Sequence, residues 1–183
     1  MLNERFKITL LQNLKNEELK TYNVDGLISF MENSDINYYM ADLNGPLGMA
    51  TFDGVYIDVN NIIRKTPYKS GFLYFVILHE TSHIKRMKKI GKEEILKKLS
   101  LTEFNEFFEH VVNEELISDK YALINYYKLN KFSFPICYTQ QLNLTENKES
   151  YKMTARGFFG KIQNDETKYN DFVKKFIKKI YND

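Results

Sequence analysis

The chain has 183 residues, 43% of them apolar and 15% aromatic, with a formal net charge of +2. This composition excludes a disordered chain and suffices for one domain with a sizeable core. The balanced charge gives no drive toward nucleic acid or an anionic membrane. A single cysteine, Cys137, cannot close an internal disulfide, which fits a reducing, cytoplasmic setting.

Residues 3–20 place Phe6, Ile8, Leu10, Leu11 and Leu14 among charges, as in an amphipathic helix. No long apolar run follows a basic start, so no signal peptide is expected. A second short helix fits 24–33, with Leu27, Ile28, Phe30 and Met31 apolar. The segment 36–62 changes texture: β-formers are broken by Asn44-Gly45-Pro46 and Asp53-Gly54, which predicts two or three short strands. In "GVYIDVN", Val55, Ile57 and Val59 alternate with Tyr56 and Asp58, as in a half-buried strand. A buried helix follows, with Thr66 as N-cap, Pro67 at its first turn and Gly91 as its stop. Its apolar run, "FLYFVIL", is too short to span a bilayer.

A further helix is expected from a capping box at Ser100 and Glu103 to about residue 128. A loop around Pro135 and two helices, over 149–163 and 166–181, complete the chain. The order α, β, then mostly α indicates an α+β fold with a small sheet, and one domain over 1–183. Its core would cover roughly 36–128, with a helical part at 149–183.

The chemistry is concentrated in "HETSH". His79 and His83 are one helical turn apart, so both imidazoles can reach one point, as zinc ligands do. Glu80 lies about 100° round the helix and can take a proton from a water at that point. A third ligand is sought on the next helix, where Glu115 and Asp119 share a face. Glu115 could bind metal, and Asp119 could accept a hydrogen bond from a ligand histidine. The bland alternative has Glu114 and Glu115 facing water and Asp119 paired with Lys120 or Lys85. His110 and Glu114 are rival third ligands.

"HETSH" followed by "NEELISD" resembles the H-E-x-x-H … E-x-x-x-D pattern of the glutamate-zincin metallopeptidases. Thermolysin-like peptidases carry a similar third-ligand string. Glu115, Ser118, Asp119, Tyr121 and Ala122 also resemble the corresponding helix of the compact ImmA/IrrE-type zinc peptidases. The resemblance covers roughly residues 50–125. It implies a minimal zincin-like core, with a sheet of about three strands packed on the HExxH helix. It also implies Zn2+ as cofactor, His79, His83 and Glu115 as metal ligands, Glu80 as catalytic base and Asp119 as the partner of a ligand histidine. The chain departs from the pattern in lacking a counterpart of the thermolysin-type oxyanion histidine, for which a tyrosine is the expected substitute.

The expected activity is therefore that of a zinc metalloendopeptidase acting on a protein or peptide substrate, with a regulatory protein as one candidate. The substrate would lie along a sheet edge near "GVYIDVN". The alternative is a non-catalytic interaction module on the same fold. A DNA-associated reading rests on Lys174, Lys175, Lys178 and Lys179 and competes with an ordinary solvated helix face. Oligomeric state and substrate identity are not legible.

Overall fold

The computed structural model describes residues 2–14, 21–65, 69–99 and 104–132. The expected caps Thr66, Pro67, Ser100 and Glu103, the Pro135 loop and the two C-terminal helices lie outside the described residues. So does Cys137. Among the described residues, no helix is long and apolar enough to cross a membrane.

The architecture is α+β, as expected: a three-stranded mixed sheet packs on one long helix, with other helices around them. Helix α1 (Glu4–Asn13) starts at Asn3, whose Oδ1 accepts the Arg5 N–H at 2.7 Å. Phe6, Leu10 and Leu14 are buried, whereas Ile8 and Leu11 are exposed, so only one stripe of the expected apolar set faces inward. Helix α2 (Val24–Glu32) is capped by Asn23, which accepts the Gly26 N–H at 2.8 Å.

The strands are β1 (Tyr38–Met40), β2 (Gly48–Ala50) and β3 (Val55–Ile57), in the order β1-β3-β2. β1 runs parallel to β3 and β2 antiparallel to it. One expectation fails at β3. The strand stops at Ile57, because Asp58 caps an unexpected helix, α3 (Val59–Lys65), by accepting the Asn61 N–H at 2.9 Å. Val59 therefore sits in a helix. β3 itself is the central strand, hydrogen-bonded on both sides, so a sheet edge near "GVYIDVN" belongs to one of its neighbours. The outer strand on the far side from β1 is β2.

Helix α4 (Lys69–Ile90) crosses the molecule beneath the sheet. Leu73, Tyr74, Phe75, Val76, Ile77 and Leu78 are all buried, consistent with an apolar run that has no polar face. Tyr38 from β1 is fully buried against it and shares a hydrogen bond of 3.0 Å with Thr81. The helix ends as expected at Gly91, whose φ of 90° lies in the left-handed region. A second unexpected helix follows, α5 (Lys92–Leu99), with Ile95 buried.

Helix α6 (Phe104–Asn130) returns alongside α4. Tyr74 meets Tyr126, His79 meets Asp119 and His83 meets Glu115, so the two helices run antiparallel. The fully buried Ser118 and Ala122 are small enough to let α6 approach closely. At one end of this seam Tyr22, Tyr74, Tyr126 and Phe132 form an aromatic cluster.

Candidate metal centre

The α4–α6 seam turns polar where "HETSH" leaves the apolar run. His79 and His83 project from successive turns of α4 with their Nε2 atoms 3.0 Å apart. Glu115 reaches across from α6. One oxygen lies 3.3 Å from His79 Nε2 and the other 3.3 Å from His83 Nε2. These three residues form the group able to hold a metal ion among the described residues, with donor atoms all within 4.8 Å of one another.

The donor set fits a divalent cation that favours nitrogen and carboxylate oxygen, of which zinc is the leading case. Two ligands of a tetrahedral zinc, each about 2.0–2.1 Å from the ion, stand about 3.3 Å apart. Here the two imidazole nitrogens are 3.0 Å apart, and each lies 3.3 Å from a different oxygen of Glu115. Without a cation, two imidazole nitrogens and a carboxylate would converge with only protons to hold them together.

Asp119, one turn beyond Glu115, lies 2.8 Å from His79 Nδ1 through its Oδ1. The carboxylate assigns the proton to Nδ1 and turns the Nε2 lone pair toward the cluster. Asp119 is buried, and neither Lys120 nor Lys85 is its partner in this contact: Lys85 donates instead to the Tyr121 hydroxyl at 3.1 Å. Glu114 is outside the cluster, and Arg86 grips it with two hydrogen bonds of 2.7 Å each. His110 is outside the metal-binding group.

The electrostatics follow from this crowding. Burial works against a charged His79, yet hydrogen bonds to Asp119 and Glu115 raise its pKa well above the ordinary histidine value. Burial also opposes the Glu115 carboxylate, but His83 and His79 pull its pKa far below the usual range. Glu80 behaves in the opposite way. Burial and the nearby Glu115 push its pKa up, against the pull of His79, His83 and the Ala50 N–H. A carboxylate raised in this way is a better proton acceptor.

Glu80 points toward β2, where its carboxyl group lies over Gly48. Nothing in the sequence signals this support from β2. The Arg86–Glu114 fork is equally unsignalled, although Arg86 lies one turn beyond His83 and so on a neighbouring part of the helix face. Compared with protein-family models, curated proteins and solved structures, the chain matches none. What stands is a His79/His83/Glu115 group joining one helix to a later one, compatible with a zincin-like site.

Proposed function

We propose that the protein is a zinc-dependent metallopeptidase, with His79, His83 and Glu115 as metal ligands, Glu80 as general base and Asp119 orienting His79. The observation that carries this reading is the pairing of a three-donor cluster with a buried, separately held carboxylate beside it. A scaffold that only bound metal would have no need for Glu80, whose burial is costly. When bound, a zinc ion in such a site acidifies a water and polarises a carbonyl group.

Glu80 would accept a proton from water and pass it to the leaving amine. Asp119 would keep His79 in the Nδ1–H tautomer throughout, preserving its donor atom. The substrate class is a protein or peptide in extended form. Metal content and cleavage together distinguish a peptidase from a non-catalytic interaction module. Zinc is measured in purified protein, wild type and variants, alongside cleavage of a peptide library by mass spectrometry. One zinc per chain is expected in wild type and Glu80→Gln and none in His79→Ala, with cleavage lost in both variants. A wild type that takes up no zinc when supplied with it would refute the proposal.

A further inference from the structure

Glu80 leaves α4 toward β2, and the strand is bare at the point where it arrives. A Cβ placed on Gly48 would stand 2.6 Å from Glu80 Cγ and 2.7 Å from its Oε1. Contacts that short are not sustained in proteins, so either the strand or the carboxylate would have to move. The carboxylate has little room, since Glu80 is only 9% exposed and its neighbours Thr81 and Ser82 are buried.

Glycine is not needed at position 48 for its backbone freedom. Gly48 pairs in regular antiparallel register with Ile57, and its φ is outside the left-handed region. In such a strand glycine is ordinarily a weakness, and alanine the more stable choice. We infer that Gly48 is a positioning residue for Glu80: the backbone of the outer strand forms the wall against which the general base rests, and any side chain at 48 would displace it. The role of Glu80 as base rests on the peptidase reading, whereas the contact itself does not.

A thermal-unfolding cycle on the full chain at fixed zinc tests the contact. Gly48→Ala is made in three backgrounds: wild type, Glu80→Gln and Glu80→Ala. Glutamine keeps the size of the side chain, while alanine removes the atoms that collide. Tm is expected to fall by about 3–8 °C in the first two backgrounds. In Glu80→Ala it should stay level or rise. Should Gly48→Ala alone fail to fold, recovery of the fold in Gly48→Ala/Glu80→Ala supports the contact equally well. An equal loss in all three backgrounds overturns the inference.

The consequence for chemistry is read separately. Gly48→Ala should keep one zinc per chain and lose at least about tenfold in kcat with KM little changed, as a misplaced base predicts. Full kcat in this variant also overturns the positioning role. If wild type cleaves nothing while the stability cycle shows the coupling, the peptidase reading fails and the Gly48–Glu80 contact stands.

Discussion

His79 is held by two carboxylates with different tasks, and the difference is one of ring nitrogen. Glu115 faces Nε2 at 3.3 Å, on the side where a metal would sit, and Asp119 faces Nδ1 at 2.8 Å. Removing Asp119's charge while keeping its size, as in Asp119→Asn, leaves the donor set complete but frees the ring to rotate. Zinc affinity, measured by competition with a chromophoric chelator, should fall by about 10–100-fold. An unchanged affinity would mean that packing alone fixes the ring. The remaining histidine makes a contrasting prediction. Burial, helped by Lys98 of α5 and Arg86 of α4 against the pull of Glu114, pushes the pKa of His110 below its ordinary value of 6.5. The unfolded chain therefore binds more protons at His110 than the folded one. Its contribution to stability is present above pH 6.5 and is lost as pH falls through the lowered folded pKa. In chelator-treated protein, His110→Gln should flatten this acid-side loss in denaturant titrations, and a slope identical to wild type would refute the assignment.

The elements of the site differ in how openly the sequence announces them. The long helix α4 is legible because a seven-residue apolar run followed by titratable residues has few other interpretations. Helix α6 is legible from the spacing of Glu115 and Asp119. Its apolar residues mislead in part, since Ile117 and Ile124 are exposed. Helix α3 stays hidden because Val55, Ile57 and Val59 continue a strand-like alternation, while Val59 and Ile62 are buried with helical spacing. Only the Asp58 cap separates the two periods. Helix α5 stays hidden because its buried Ile95 is set among lysines and glutamates. The Arg86–Glu114 fork is invisible for a different reason: it depends on how α6 registers against α4, which no local pattern encodes. It ties the two helices beside the His79/His83/Glu115 group, and its partners are 32% and 20% exposed. Arg86→Ala, which leaves a partly buried carboxylate unpaired, should cost about 1–3 kcal/mol in denaturant unfolding. Exchanging the two charges in Arg86→Glu/Glu114→Arg should recover part of that loss. No recovery would show that the fork depends on its present orientation.

At the scale of the molecule, the site is a clasp between two helices that are also joined by apolar packing and by the Arg86–Glu114 fork. His79 and His83 come from the helix that carries the sheet, and Glu115 comes from the helix that closes over it. A cation bound between them would hold the native arrangement and have no comparable site in the unfolded chain, so binding and folding are linked. Free zinc at about 100 times its dissociation constant adds about 2.7 kcal/mol. For a chain of this size that corresponds to a rise in Tm of about 5–10 °C. The shift should grow with the logarithm of free zinc, vanish with excess chelator and be absent in His79→Ala. Glu80→Gln should retain it, because Glu80 contributes no donor to the cluster. Calorimetry of these three proteins across a zinc titration therefore separates the residues proposed to hold the metal from the residue proposed as base. Loss of the shift in Glu80→Gln would make Glu80 a ligand and remove the case for it as a base.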